Sequence, residues 1–400
     1  MQTAIDIEAL GFDAGAHLLV KHALLDVPVG ASVHVTGRSP GWDAQLAAWC
    51  RAQGHACTLS ATDSGTVAVV TRGGAAAGRW RDALATGRSA IAAPDAVAAQ
   101  AQPRWGLAAR GATVEAGSPE MYFRLDRKEE VWTPRAADLY AQAAAAQWDP
   151  ETAIDWHAEF TLPDVVEDAV VQVFTYMIEN EEAALVVPAR FLGQVHPHYR
   201  EVQAVLAVQV ADEARHIEVF TRRVRLKGRE PGLSTAGGQA SLKTLLDETD
   251  FSVAGFLLSV LGEGTFVSLL QFLHAHAPDP VTRQIARLAA RDEARHVAFG
   301  MLHLAERLEH EPALRVRLAN AVQARNDALS ATSGLNEEVF DALVLLAAGE
   351  FTPAAIARGY TRVQELMRDM ADGRQARLEK LGFTSDAARD LSALHTRNFM

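Results

Sequence analysis

Cysteine is almost missing from this chain of 400 residues: only Cys50 and Cys57 occur. Two thiols exclude a disulfide framework, or a cysteine-based metal site, as the organising principle. Basic charge is also short, with 38 Lys and Arg against 50 Asp and Glu and a formal net charge of −12. A nucleic-acid-binding surface needs clustered cations to meet phosphates, so that class is disfavoured. The densest basic stretch, Arg222-Arg223-Val224-Arg225-Leu226-Lys227, falls at the end of a predicted helix. Cations favour that end of the helix dipole, and a solvated last turn is the expectation. The first residues carry no basic segment followed by an apolar run, so no secretory signal is expected. Long apolar runs are lacking too; even Phe251–Leu261 is too short for a membrane span. These absences lead to the expectation of a soluble cytoplasmic protein.

What the chain does have is a pentapeptide written twice: Asp212-Glu213-Ala214-Arg215-His216 and Asp292-Glu293-Ala294-Arg295-His296. Each contains Glu-x-x-His, which puts a carboxylate and an imidazole on one helical face, a single turn apart. Two such helices facing each other, with one more Glu from each of two neighbours, make the ligand set of a carboxylate-bridged di-metal centre. The motifs lie 80 residues apart, and just upstream Phe191-Leu192 recurs as Phe272-Leu273, at an offset of 81. Carrying that offset backwards pairs Glu182 with Glu263. The expected ligands are therefore Glu182, Glu213, His216, Glu263, Glu293 and His296. The repeat pairs the neighbours Glu179 and Glu181 with Val260 and Gly262 and so does not support them, yet whether either replaces or joins Glu182 stays open. Glu263 stands in a stretch that is apolar apart from two Ser, where a lone carboxylate is costly to bury unless paired or metal-bound.

The surroundings of the motif are legible as well. A metal-bound His usually donates its other N–H to a carboxylate, and Asp212 and Asp292 are positioned to reach the His of the opposite helix. Arg215 and Arg295 cannot ligate as cations; buried salt bridges with these acids are expected. Gly262 and Gly264 flank Glu263 and weaken a helix by about 1 kcal/mol each relative to Ala. They predict either a local bulge or close helix packing. Pro188 should kink or end its helix. Tyr176 is the tyrosine nearest the site by sequence, and core packing is expected of it before any radical role. His196 and His198, flanking Pro197 in a hairpin loop, are expected in solvent.

Four domain-level segments follow. Residues 1–75 alternate short β-type runs with two helical stretches in the order β-α-β-α-β-β, a small two-layer α+β domain. Residues 76–119, rich in Ala, Gly and Arg, read as a linker or extension. Residues 120–330 supply four long helices, and residues 331–400 continue as a helical extension. The fold class is thus mainly α, a four-helix bundle with extra C-terminal helices behind a small α+β domain.

Two resemblances rest on these residues. Residues 120–330, with their paired Glu-x-x-His motifs, resemble the ferritin-like carboxylate-bridged di-iron oxidases and oxygenases. The resemblance implies two metals, Fe/Fe before Mn/Fe or Mn/Mn, with O2 as co-substrate, bridging carboxylates from Glu213 and Glu293, and one imidazole per metal. It implies oxidation of a small organic substrate by hydroxylation, N-oxygenation, desaturation or oxidative cleavage. Peroxide metabolism, ferroxidase activity, and hydroxylation of a tRNA or carrier-bound substrate are the alternatives. Residues 1–75 resemble the TusA-type sulfur carriers in Ala9-Leu10-Gly11-Phe12, Pro28-Val29-Gly30, Val33-His34-Val35-Thr36, Trp49-Cys50 and Gly54-His55. That family carries its persulfide on the Cys of Cys-Pro-x-Pro, where this chain has Asp13-Ala14-Gly15-Ala16, so sulfur transfer is not expected. The domain is expected to be non-catalytic, with docking of an electron donor or carrier protein, or homodimerisation, left open.

Overall fold

The computed structural model describes residues 3–63, 65–93, 95–330 and 337–395. The chain forms two compact units, Met1–Thr86 with Gly111–Glu120, and Gly87–Arg110 with Met121–Met400. The segment expected as a linker, residues 76–119, is therefore shared between them. Within the second unit it contributes buried Ala96, Ala101 and Trp105, an apolar content too sparse to show as a periodic stripe.

In the first unit, β1 (Thr3–Asp6), α1 (His17–Leu25), β2 (Ser32–Thr36), α2 (Trp42–Gln53), β3 (Ala56–Thr62) and β4 (Gly65–Thr71) follow in that order. The sheet order is β1-β2-β4-β3, with β1 parallel to β2 and the other pairs antiparallel. A parallel pair needs a crossover, and α1 supplies it. Alternation along β2 buries Val33 and Val35, which pack with Leu24, Leu46, Cys50 and Val70. A two-residue ladder joins β5 (Leu84–Ala85) to β6 (Thr113–Val114). Burial, with Cys57 beside it, pushes the Cys50 thiol up to about 12. A thiolate is what reacts, so Cys50 should resist iodoacetamide at neutral pH until denaturant is added. Fast labelling of both cysteines in the folded protein would contradict this packing.

The second unit is helical: α3 (Lys128–Val131), α4 (Ala136–Ala145), α5 (Asp164–Leu192), α6 (Arg200–Arg225), α7 (Ala236–Asp247), α8 (Phe251–Gly255), a π-helical stretch (Phe256–Glu263), α9 (Gly264–His276), α10 (Pro280–His310), α11 (Leu314–Ser330), α12 (Glu337–Ala348), α13 (Pro353–Lys380) and α14 (Ser385–His395). Side-chain caps start several of them. Asp250 accepts from the backbone N–H groups of Ser252 and Val253. Asp279 accepts from Thr282, with Pro280 at the first helical position. In the bundle α5 packs on α6, α10 packs on both α9 and the π stretch, and α6 meets α10.

Three expectations change here, and of the two outcomes expected at Pro188 the helix end is ruled out. Phe251–His276 runs as 26 continuous helical residues, long and apolar enough to span a membrane, because Glu263 and its two glycines do not interrupt it. Within its most apolar window 83% is buried inside the protein, the place of a core helix. Pro188 does not end α5, which continues to Leu192. Arg223 is not solvated but fully buried, bonded to Glu167, Asp279 and Thr282. His196 and His198 are also buried. The His198 ring lies 4.9 Å from Trp105, and its Nε2 accepts the Ala98 N–H at 2.9 Å; the His196 ring meets Phe123 at 4.9 Å. The cover comes from Ala98, Trp105 and Phe123 of the same unit, which no local pattern ties to the hairpin loop. The expectation of a specifically placed tail at Leu394–Met400 falls largely outside the described residues, although Leu394 accepts a hydrogen bond from Asn326.

Candidate metal centre

Helix α6 delivers Gln209, Glu213 and His216 to one face, four and three residues apart. Helix α10 delivers Glu293 and His296 in the same way. Helix α5 contributes Glu181 and the end of the π stretch contributes Glu263. All six ligand candidates among these are buried. They form two overlapping groups, Glu181, Glu213, His216 and Glu293, and Glu213, Glu263, Glu293 and His296, each with donor atoms within 4.8 Å of one another. Glu213 and Glu293 belong to both. Glu213 sets Oε2 3.1 Å from His216 Nδ1 and Oε1 3.0 Å from His296 Nδ1. Glu293 sets Oε1 3.3 Å from His216 Nδ1 and Oε2 3.3 Å from His296 Nδ1. Each spans the two imidazoles as a bridging carboxylate would, while Glu181 stands at one end, 3.3 Å from His216 Nδ1.

Glu182 is the correction: it is exposed, and Glu181, one residue earlier, points inward. One residue turns a helix by about 100°, so the two side chains cannot share a role. The interval to the following Glu-x-x-His is 32 residues from Glu181 (213 − 181) and 30 from Glu263 (293 − 263). A pairing with one constant offset cannot represent hairpins that differ by two residues, one of them entered through a π-helical stretch with its wider turn. Glu179, the other open candidate, belongs to neither group.

Around the ligands, carboxylates cross between helices. Asp292 Oδ2 lies 3.2 Å from His216 Nε2, and Asp212 Oδ2 lies 3.3 Å from His296 Nε2. Asp292 also accepts from Trp148 Nε1 at 2.8 Å and from Arg215 at 2.9 Å, and it pairs with Arg295. Asp212 accepts from Gln147 at 2.8 Å and pairs with Arg215. Burial opposes ionisation of both acids, but the hydrogen bond and charge of the facing His outweigh it and hold each below the usual carboxylate range. With each Nε2–H given to an Asp, each Nδ1 is left facing carboxylate oxygens.

That arrangement fits cations. Glu181 Oε1, Glu213 Oε1, Glu263 Oε2 and Glu293 Oε1 are buried without a hydrogen-bond donor among the described residues. Burial, then repulsion from Glu213 and Glu293, pushes Glu181 well above the carboxylate range. Burial and Glu293 do the same to Glu263. His216 and His296 are raised despite burial, chiefly by Glu181 and Glu213 respectively. Without metal, protons neutralise this cluster. Four carboxylates and two imidazoles would balance two divalent ions, and hard oxygen donors with a few nitrogens suit iron or manganese over copper or zinc. Because ligands must lose those protons, metal uptake should strengthen as pH rises. Asp292→Asn should weaken metal affinity by about 10- to 100-fold, read by competition with a chelator. An unchanged affinity would remove Asp292 from its supporting role.

Two contacts of the site escaped sequence reasoning. Gln209 donates to Glu263 Oε1 at 2.8 Å; the repeat hides it, because the matching position 80 residues on is Ala289, but its place one turn before Glu213 was available as a signal. Trp148 follows α4, and nothing in the sequence announces its bond to Asp292. The predicted bulge is the π-helical stretch Phe256–Glu263. Gly264 makes room for Arg377, since a Cβ there would lie 2.5 Å from the guanidinium, and Arg377 donates to the Val260 carbonyl at 2.7 Å. Tyr176 is a buried core residue of α5. A small, mainly apolar cavity adjoins Glu181, Glu263 and Glu293 and is lined also by Ala184, Leu258 and Phe266.

A helical bundle carrying two Glu-x-x-His helices and two single Glu residues is the architecture of the ferritin-like di-metal carboxylate proteins. No protein-family model matches the chain, and no curated protein matches it. Among solved structures, similarity extends to a protein from Synechococcus with aldehyde deformylating oxidase activity (17% identity, 57% of this chain and 96% of that one, TM-score 0.43). It also extends to an R2-like ligand-binding oxidase from Sulfolobus acidocaldarius (15%, 63% and 92%, TM-score 0.42). A third is a variant R2-like ligand-binding oxidase with a reconstituted Mn/Fe cofactor (14%, 62% and 94%, TM-score 0.46). At such identities and scores, the functional reading rests on the chemistry of the site itself.

Proposed function

We propose that the second unit is an oxygen-dependent oxidoreductase that oxidises a small organic substrate at a pair of iron ions, with Mn/Fe or Mn/Mn as the alternative pair. The observation that carries this reading is the double placement of Glu213 and Glu293, each with one oxygen beside each imidazole Nδ1. When bound, such a metal pair supplies the electrons that reduce O2. The chain's own residues do the rest. Asp212 and Asp292 hold the Nε2 protons and so fix which nitrogen faces the metals. Leu258 and Phe266 give the cavity beside Glu181 and Glu263 an apolar lining. Gln209 steadies Glu263 by one hydrogen bond. The first unit offers no carrier thiol, since Asp13-Ala14-Gly15-Ala16 stands where the sulfur carriers have Cys-Pro-x-Pro; docking of an electron donor or carrier protein, or homodimerisation, is the role left to it.

The test is anaerobic purification, loading with Fe(II), and stopped-flow mixing with O2. About two irons per chain and a visible transient with O2 uptake, both absent in Glu293→Ala, are the expected results. Rapid disproportionation of hydrogen peroxide by manganese-loaded protein that ignores O2 would replace this reading by peroxide metabolism. Turnover of excess Fe(II) to mineral would replace it by ferroxidase activity.

A further inference from the structure

Among the described residues of the second unit, one buried cation stands out by its unbonded donors. Arg325 of α11 is 4% exposed, and its Nη2 donates to Ser241 Oγ at 2.7 Å, while Nε and Nη1 are buried without a partner. Arg223 is paired with Glu167 and Asp279 and Arg110 with Glu201, whereas Arg374 bonds the Thr265 hydroxyl and Arg377 the Val260 carbonyl; Arg325 differs from these in leaving two of its nitrogens without an acceptor. Among the described residues no carboxylate lies within ion-pair distance of Arg325. Burying an uncompensated charge costs several kcal/mol, so the position suits an anion that none of the described residues supplies. Burial lowers its pKa only to about 10, which leaves it a cation at neutral pH.

Its neighbours carry the same signature. The Tyr176 hydroxyl and Asn180 Oδ1 are buried with no well-formed hydrogen bond, and the neutral Tyr176 phenol lies near enough to both Asn180 and Arg325 to feel their dipole and charge. Helical spacing connects this cluster to the metal side. Asn180 lies one turn beyond Tyr176 on α5, and Leu245 lies one turn beyond Ser241 on α7. Asn180 and Leu245 line the cavity that ends at Glu181, Glu263 and Glu293. Asn180 therefore belongs to both the polar cluster and the cavity's lining, and Tyr176 and Ser241 each lie one turn from a lining residue along their helices.

We infer that Arg325 and Tyr176, with Asn180, form the binding site for the carboxylate of a small organic acid whose body occupies the cavity beside the metal ligands. Arg N–H and phenol O–H donors both suit a carboxylate, and charge-assisted bonds of this kind are the strong ones. The free Asn180 Oδ1 accepts a hydroxyl or amine hydrogen carried next to the acid. This assignment rests on the proposed oxidase reading for its meaning as a substrate site.

The test is titration calorimetry on the full chain, metal-loaded and metal-stripped, with acetate, butyrate, phenylacetate, phenylacetamide and sodium chloride. At least one of the three acids should bind, and Arg325→Met should weaken it roughly tenfold or more with metal content unchanged. Phenylacetamide should bind at least roughly tenfold more weakly than phenylacetate. Tyr176→Phe should cost severalfold, and it serves if Arg325→Met does not fold. Acid binding that disappears on stripping the metals would place the carboxylate on the metals and overturn the proposal. Chloride binding alone would make Arg325 the holder of a structural counter-ion and overturn it too, as would no binding by any acid. Acid binding at Arg325 without any O2 reaction would sink the oxidase reading and leave the carboxylate site standing.

Discussion

Glu181→Ala will lower the metal content from two ions per chain toward one, while Glu182→Ala leaves it unchanged. Glu181 is buried, 3.3 Å from His216 Nδ1, in the group of donors that it shares with Glu213, His216 and Glu293. Glu182, one residue on, is exposed. Removing Glu181 takes from one metal its only ligand candidate from α5, while the other keeps Glu213, Glu263, Glu293 and His296. The measurement is elemental analysis after reconstitution with Fe(II) and removal of excess metal, with circular dichroism to show that both variants stay helical. Equal metal loss in the two variants, or loss in Glu182→Ala alone, would overturn the assignment of the α5 ligand.

Arg223→Met is expected to destabilise the protein by about 3–5 kcal/mol, a large part of the stability of an ordinary domain. Arg223 is fully buried at the end of α6 and bridges α5 and the cap of α10, with bonds to Glu167 at 2.5 and 3.1 Å, Asp279 at 2.9 Å and Thr282 at 3.0 Å. Losing the guanidinium leaves two carboxylates buried without their cation, and one of them caps α10. Arg222, next in sequence, offers the control. It is partly exposed, pairs with an exposed Glu151 and lies over Trp156 at 4.1 Å. Arg222→Met should shift stability by about 1 kcal/mol or less. Urea unfolding of both variants compares them directly, and similar midpoints would show that the Arg223 network does not hold the helices together.

The two basic residues show where local pattern stops. Both belong to one run at a helix end, and the dipole argument treats them alike. Only the arrival of α5 and α10 makes one a buried junction and leaves the other at the surface. His196 and His198 tell the same story, since a polar loop sequence is covered by Trp105 and Phe123 from far upstream. In each case the deciding neighbour is distant in sequence, and no periodicity encodes it.

The sequence by itself determined what depends on spacing along one helix. Glu213 with His216, and Glu293 with His296, share a face because three residues make nearly one turn of any α-helix. The duplication identified Glu263, and the β-α-β-α-β-β order at the start of the chain followed from local runs and turns. Tertiary structure decided what depends on phase and on meeting. It chose Glu181 over Glu182, because a π-helical stretch and hairpins of unequal length broke the constant offset of the repeat. It brought Gln209 to Glu263 and Trp148 to Asp292 through contacts between different helices. It also left Arg325 buried without a counter-charge among the described residues, for a side chain's partners are fixed by packing, which a linear spacing cannot express.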